Sequence, residues 1–125
     1  MKLTVVNIEH QGDREKEVVT LAVDADCDLR SYIVANATVR PDGQLTGLFR
    51  DTFWFPSIPA KAGDYVLLFS REGENANLAN NLGTTSHLVF WGSDRAVWHE
   101  KDDEIMLFEI AGSKMQKTRS FVSLV

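Results

Sequence analysis

The chain has 125 residues, of which 44% are hydrophobic and 25% charged, which is typical of a globular protein and excludes a disordered one. Its formal net charge of −5 argues against general affinity for nucleic acid or for anionic membranes. The single cysteine, Cys27, excludes an internal disulfide bond and fits a reducing compartment. A chain of this length predicts a single domain over residues 1–125.

The N-terminal residues 1–9 alternate apolar and polar side chains, which predicts a strand. They carry neither the apolar core nor the small-residue cleavage site of a signal peptide. No stretch of the chain approaches the roughly 18 consecutive apolar residues of a membrane-spanning helix. We therefore expect a cytoplasmic protein with no membrane contact.

The next two predicted strands, residues 18–23 and 29–35, show the alternation of half-buried strands. The acidic run 24–28 between them predicts a turn. Residues 40–43 (Arg-Pro-Asp-Gly) predict a second turn, because proline presets φ and glycine tolerates a positive φ. These patterns favour short strands joined by tight connections.

A further strand is predicted to end at Phe55, because Pro56 follows it. Phe53 and Phe55 share one face of this strand, which leaves Trp54 on the opposite face. Residues 65–69 are apolar at every position and predict a strand that is covered on both faces or lies at the centre of a sheet. The residues expected in the core between the sheets are Phe55, Val66, Leu68 and Leu107.

Residues 71–86 form the longest polar stretch of the chain and are rich in glycine and asparagine. Such a stretch inside a compact domain predicts a loop that is functional or mobile. Residues 78–82 within it fit a single helical turn.

Four strands are expected downstream: one that carries Trp91, one that begins near Trp98, one over residues 105–110, and a closing strand over residues 118–125. No window sustains the helical spacing of apolar residues, so little or no helix is expected. Several short strands separated by turn signals predict an all-β sandwich or barrel.

The order of these motifs resembles the lamin tail domain family, an immunoglobulin-like β-sandwich that is also widespread in bacteria. The best-matching segments are Phe-Trp-Phe-Pro at residues 53–56 and Ala-Gly-Asp with the following apolar strand at residues 62–67. Residues 17–21 and 27–34 are similar to the first two strands of the family pattern. Residues 98–107 are similar to its acidic turn and the core strand that follows. Each motif is short, and the specificity lies in their order over residues 3–123.

Two positions depart from the family pattern. Ser31 stands where a glycine usually precedes the aromatic residue, here Tyr32, and residues 99–103 lack the glycine of the usual acidic turn. The family has no shared catalytic residues, so the resemblance implies an antiparallel immunoglobulin-like sandwich that acts as an interaction module. Some eukaryotic members bind DNA or proteins, but the acidic charge of this chain gives no support to DNA binding.

The chain lacks the ligand spacing of common metal sites. His87 and His99 flank two predicted strands, but zinc needs three convergent ligands, and no HxH or HExxH spacing is present. Residues 24–28 imitate the start of a calcium loop, yet Leu29 replaces the required glycine. We therefore expect no bound metal or cofactor, with a metal-dependent hydrolase that uses His87, His99 and Asp102 as an alternative.

The three tryptophans, Trp54, Trp91 and Trp98, are candidate interaction residues, because tryptophan is enriched where proteins bind their partners. Alternatively, they fill the core or its ends. Arg71 and Asn77 in the polar stretch are further candidates. The preferred interpretation is a non-enzymatic module for protein interaction or self-assembly, with a protein partner or a second copy of the chain. A sandwich that binds a carbohydrate or another small molecule through its tryptophans is the alternative.

Overall fold

The computed structural model describes residues 1–39, 41–99 and 103–118, and the fold over these residues is all-β, as predicted. Its strands are β1 (Leu3–Glu9), β2 (Val18–Val23), β3 (Cys27–Asp28), β4 (Tyr32–Val39), β5 (Leu45–Trp54), β6 (Pro59–Ala60), β7 (Tyr65–Phe69), β8 (Ala76–Ala79), β9 (Thr85–Phe90) and β10 (Asp103–Glu109). The regular helical structure in these ranges is a single 3-10 turn, Leu29–Ser31.

The strands form a sandwich-like arrangement of two larger sheets and one small pair. One sheet has five strands in the order β1-β2-β7-β9-β8, the other has three in the order β10-β4-β5, and β3 pairs with β6. Neighbouring strands are antiparallel except β7 and β9, which run parallel. This pair departs from the fully antiparallel sandwich expected from the sequence. The parallel pair arises because β8 follows β7 in the chain, and the chain then returns as β9, which lies between β7 and β8 in the sheet.

One hydrophobic core joins the two larger sheets. Phe55, Val66 and Leu68 are each at most 2% exposed, which confirms their predicted core positions. Leu107 is partly buried and packs against the same cluster. The residues of β7 alternate between buried and half-buried, so one face of the strand is fully covered and the other partly. β7 is the central strand of the five-stranded sheet, which is one of the two placements predicted for it.

The strand predicted over residues 29–35 begins at Tyr32, later than expected. Residues 29–31 form the 3-10 turn, and the Asp28 carboxylate caps this turn by accepting a hydrogen bond from the Arg30 N–H (3.0 Å). An aspartate that binds a nearby backbone N–H competes with strand pairing, which explains the difference.

The segment between β9 and β10 is irregular and carries two of the three tryptophans. The strand predicted to carry Trp91 corresponds to β9, which ends one residue earlier, at Phe90. Trp98 lies in a turn before β10, so the strand predicted to begin near it does not begin there. The strand predicted over residues 105–110 corresponds to β10. The closing strand predicted over residues 118–125 lies outside the described residues from position 119 onward.

The polar stretch 71–86 contains β8 and the start of β9, in place of the predicted loop and of the helical turn at residues 78–82. The Asn80 side chain organises the turn between the two strands, since its Oδ1 accepts hydrogen bonds from the N–H groups of Leu82 and Thr84, both at 3.0 Å. Asparagine favours such turns because its short amide mimics a backbone group. The stretch is therefore built around an edge hairpin.

A buried carboxylate, that of Glu17, connects the five-stranded sheet with the irregular segment. Glu17 is 0% exposed and accepts hydrogen bonds from the N–H groups of Val97 (2.9 Å) and Trp98 (3.2 Å). It also accepts hydrogen bonds from the Gly12 N–H (2.9 Å) and from the Ser70 hydroxyl. Donors therefore surround both carboxylate oxygens, which compensates for their removal from water.

Truncation of Phe55 to alanine is expected to lower the free energy of unfolding by about 3–5 kcal/mol, because it leaves a cavity in the core. Chemical denaturation measures this loss. Phe49→Ala is the matched control, since Phe49 is 41% exposed and its truncation is expected to cost less. A loss under about 1 kcal/mol for Phe55→Ala would contradict the core position.

Replacement of Glu17 by glutamine is expected to lower the free energy of unfolding by about 1–3 kcal/mol, because the new amide NH₂ group faces backbone donors that now bind the carboxylate. Glu15→Gln is the control, since the Glu15 side chain is 67% exposed. Its effect is expected to stay within about 0.5 kcal/mol. Equal denaturation midpoints for the two variants would show that the Glu17 contacts contribute nothing to stability.

Candidate interaction surface

The outer side of the three-stranded sheet carries mostly apolar residues. Residues paired directly across β5, β4 and β10 lie on the same side of the sheet. The row Phe53–Val34–Leu107 belongs to the core, and the sides alternate along each strand, so the two rows next to it and the Phe49–Ala37–Glu104 row face outward. We call the residues of the outward rows the outer apolar face: Trp54–Ile33–Phe108, Thr52–Ala35–Met106 and Phe49–Ala37–Glu104.

Two large aromatic side chains of the outer apolar face are open to solvent. Trp54 is 48% exposed and Phe49 is 41% exposed. Phe49 packs edge-on against Phe108, with the ring centroids 5.5 Å apart. The charged member of these rows is Glu104. The solvent side of an antiparallel sheet is normally polar, so an apolar one is typical of an interaction surface.

A hydrogen bond holds the Trp54 ring in one orientation. Its Nε1–H donates to the Arg30 carbonyl oxygen at 2.6 Å. Arg30 lies in the 3-10 turn that Asp28 caps, so the cap also fixes the position of the acceptor. Trp54 lies on the opposite side of its strand from Phe53, as the alternation of side chains predicts. A ring that is already fixed loses little entropy when a partner binds it.

A cleft of about 420 Å³ adjoins Trp54. The 3-10 turn forms one wall and the segment after β10 forms the other, and the Ile110 N–H donates to the Ser31 carbonyl (2.8 Å) between them. The residues that line the cleft include a tryptophan, an arginine and two serines, so it can hold a group with both apolar and polar parts. The lining residues are Arg30, Ser31, Trp54, Ile110, Ala111, Gly112 and Ser113.

The other two tryptophans face the interior of the protein. Trp98 is 1% exposed, so its side chain is not available to a partner, and the prediction that it contacts one is corrected. Trp91 is half-buried and packs against Phe53 and Trp98, with ring centroids 5.3 Å and 6.0 Å apart. Of the three candidates, Trp54 is therefore the one whose ring is presented to solvent.

Arg71 and Asn77 lie on the five-stranded sheet and are not part of the outer apolar face. The Arg71 guanidinium covers the stacked rings of Phe69 and Phe90, at 5.4 Å and 4.9 Å from their centroids. Asn77 is exposed on β8, beside a small cleft of about 150 Å³ that His87 also lines. The structure thus separates these two candidates from Trp54.

The histidines proposed for a hydrolase are engaged in separate contacts. His87 is 6% exposed and its Nε2 lies 2.9 Å from the Asp64 carboxylate. His99 contacts the Arg50 guanidinium at 3.2 Å, and Asp102 lies outside the described residues. Within residues 1–39, 41–99 and 103–118, no group of three or more His, Cys, Asp or Glu side chains is placed to hold a metal ion.

Asp64 is a buried carboxylate at the centre of a small hydrogen-bond network. It accepts hydrogen bonds from the N–H groups of Lys61 (3.0 Å) and Thr85 (3.1 Å), and the His87 ring is its third partner. Burial alone would raise the pKa of the Asp64 carboxyl, but these hydrogen bonds outweigh it and lower the pKa below its usual value. The carboxylate is therefore ionised and structural at neutral pH.

The sequence did not single out a polar cluster in the three-stranded sheet. Asn36 is 0% exposed, and its Nδ2 donates to the Val97 carbonyl (2.7 Å) and to the Asp103 carboxylate (3.1 Å). Arg50 contacts Asn36, Asp103 and His99. An asparagine inside the mostly apolar strand β4 was the sequence signal for such a cluster. Its contacts connect β4, β5 and β10 with the irregular segment.

Burial raises the pKa of the Cys27 thiol, and the nearby Asp28 and Asp26 carboxylates raise it further against the opposing effect of Lys2. The thiol is therefore mostly protonated at neutral pH, which makes it a poor nucleophile.

No family model matches this chain, and no curated protein matches it. Within the residues that the structure describes, no helix is long and apolar enough to cross a membrane. The outer apolar face and the adjoining cleft are thus the features from which a function is inferred.

The lowered pKa of Asp64 predicts a pH-dependent contribution to stability. The ionised carboxylate stabilises the folded state above its unfolded pKa of about 3.9, and this stabilisation is lost as the pH falls through the lower folded pKa. We expect Asp64→Asn to be less stable than the wild type near neutral pH, with a difference that shrinks below about pH 4. Denaturation at a series of pH values measures this difference.

The control for Asp64→Asn is Asp94→Asn, because Asp94 is exposed. This variant is expected to follow the wild type at every pH. A difference between Asp64→Asn and the wild type that stays constant over the whole pH range would contradict the role of the ionised carboxylate.

Proposed function

We propose that this protein is a non-enzymatic interaction module that binds a protein partner through the outer apolar face. The observation that carries the proposal is the Trp54 ring, which is 48% exposed and yet fixed by its hydrogen bond to Arg30. Phe49, Met106 and Phe108 extend the apolar surface around it. A rigid aromatic side chain within an apolar surface has the character of a binding hot spot.

Binding at this face releases water from apolar surface at a small entropic cost. Trp54 and Phe49 present large areas with few rotatable bonds, so little side-chain freedom is lost on binding. Glu104 on the face and Arg30 beside it carry opposite charges, which can orient a partner. The face therefore offers both apolar area for affinity and charges for orientation.

The resemblance to lamin tail domains supports the same function. Residues 53–56, one of the two segments that match best, include the end of β5 and carry Trp54. We further propose that the chain is a lamin-tail-like domain with an immunoglobulin-like fold. We also propose that the protein is cytoplasmic, which fits its single unpaired cysteine.

The cleft beside Trp54 favours a second candidate function, the binding of a carbohydrate or another small polar ligand. Its volume of about 420 Å³ suits a small ligand. The Trp54 ring can stack against a sugar while Arg30, Ser31 and Ser113 supply hydrogen bonds. A glycan array probed with the labelled protein tests this candidate, and binding that Trp54→Ser abolishes would favour it over the protein partner.

Selection of displayed random peptides on the immobilised protein tests the interaction module. We expect the wild type to enrich peptides rich in apolar residues, and Trp54→Ser to bind them about thirtyfold more weakly, because a hot-spot residue contributes roughly 2 kcal/mol or more. Titration of labelled peptides measures the loss of affinity. Trp54→Ser is expected to keep its thermal unfolding transition, since Phe53 and Phe55 still fill the core side of the strand.

Leu82→Ser is the control for this selection, because Leu82 is 71% exposed but lies in the turn between β8 and β9. It is expected to bind the selected peptides like the wild type. The proposal fails if no peptide is enriched, or if the enriched peptides bind Trp54→Ser and the wild type equally well.

A further inference from the structure

The outer edge of the five-stranded sheet is formed by β8, a strand that is exposed along its whole length. All residues of Ala76–Ala79 are exposed, and within residues 1–39, 41–99 and 103–118 the strand has one neighbour in the sheet, β9. Leu78 in its centre is 56% exposed. The edge of a sheet offers unpaired N–H and C=O groups to which another strand can add.

The other edges of the two larger sheets carry features that discourage such pairing. The register of β1 is irregular between Val5 and Asn7, and β5 pairs irregularly with β4. The edge strand β10 carries acidic side chains at both ends. Charges and bulges are the usual protection of sheet edges. β8 has no charged residue, and its register with β9 is regular.

The hydrogen-bond pattern shows which backbone groups of β8 point away from the sheet. The Asn80 N–H donates to the Thr84 carbonyl, so this pair is joined by a hydrogen bond. Bonded and non-bonded pairs alternate along antiparallel strands, so Leu78 also bonds to β9, whereas the backbone groups of Asn77 and Ala79 point outward.

We propose that two copies of this chain associate through β8, which pairs antiparallel with the β8 of the second copy about a two-fold axis at Leu78. Asn77 of each copy then lies opposite Ala79 of the other, and their outward N–H and C=O groups exchange hydrogen bonds. The two five-stranded sheets join into one continuous sheet. We call this contact the β8 seam.

The side chains of β8 suit a second copy of the chain. The two-fold axis places the Leu78 side chains of both copies in direct contact, which removes exposed apolar surface from water. Glu72 and Glu74 precede β8, so antiparallel pairing places those of the two copies at opposite ends of the seam. A like-charged chain with a net charge of −5 can therefore associate here without repulsion between these carboxylates.

The β8 seam lies on the five-stranded sheet and the outer apolar face lies on the three-stranded sheet, so neither proposal depends on the other. Trp54→Ser is expected to leave the association of two copies unchanged. This variant therefore distinguishes the β8 seam from an association through the outer apolar face.

The first experiment is a disulfide cross-link at the two-fold axis. Residues that face each other in a non-bonded antiparallel pair have Cα atoms about 4.5 Å apart, close enough for a disulfide bond. In a Cys27→Ala background, mild oxidation is expected to convert Leu78→Cys to a covalent dimer. Leu82→Cys in the same background is the control, since this residue is more exposed but lies outside the seam.

The second experiment separates the backbone of β8 from its side chains. Proline at position 77 removes an outward N–H but no hydrogen bond to β9, so Asn77→Pro is expected to fold and to associate at least about tenfold more weakly. Asn77→Ala keeps the N–H group and is expected to associate like the wild type. Sedimentation velocity measures the association, and thermal unfolding checks the fold of each variant.

Each of three outcomes would overturn the proposal. The first is a wild-type protein that remains monomeric at about 100 μM, a concentration at which weak specific dimers form. The second is equal association of Asn77→Pro and Asn77→Ala. The third is equal cross-linking of Leu78→Cys and Leu82→Cys, which would show random collision and no seam.

Discussion

The carboxylate of Glu17 is the contact on which the arrangement of the two sheets depends. It lies directly before β2 and binds the N–H of Val97, which follows it by 80 residues in the chain. From the other sheet, the Asn36 side chain donates to the carbonyl of the same Val97. Both backbone polar groups of Val97, its N–H and its C=O, are thus hydrogen-bonded, one to each side of the sandwich. This double anchor also brings Trp98 into the core, where it is 1% exposed. The irregular segment is in this way hydrogen-bonded to both sheets.

Polar side chains are buried in this core, whereas large apolar side chains are exposed at the surface. Trp54, Phe49 and Leu78 are exposed, while Glu17 and Asn36 are completely buried. Not every outer aromatic group is open, because the Arg71 guanidinium covers the stacked rings on the five-stranded sheet. The protein therefore protects one apolar area and leaves two others uncovered. Exposed apolar area of this kind is typical of binding surfaces.

The parts of the fold that follow from local periodicity could be predicted from the sequence. Alternation along β5 separates Phe53 from Trp54, and this pattern alone indicates which ring faces solvent. The burial of Trp98 could not be predicted in this way, because it depends on Glu17, a distant residue with no apolar pattern. The sequence also did not predict that residues 76–79 form a strand, β8. Its residues have weak strand propensity, and pairing with β9 decides their conformation. Hydrogen bonds between segments, one distant and one neighbouring, thus account for these two differences from the prediction.

The insertion of β9 between β7 and β8 has a consequence for the order in which the chain folds. β8 and β9 are adjacent in sequence and share a turn organised by Asn80, so they can form a hairpin within microseconds. The parallel pairing of β7 with β9 must close the longer connection that contains β8, so we expect it to follow the hairpin. The hairpin is then expected to dock on β7 as a preformed unit. A unit that docks late can also dock on the β7 of another molecule, so exchange of this hairpin between two chains preserves every pairing within the sheet.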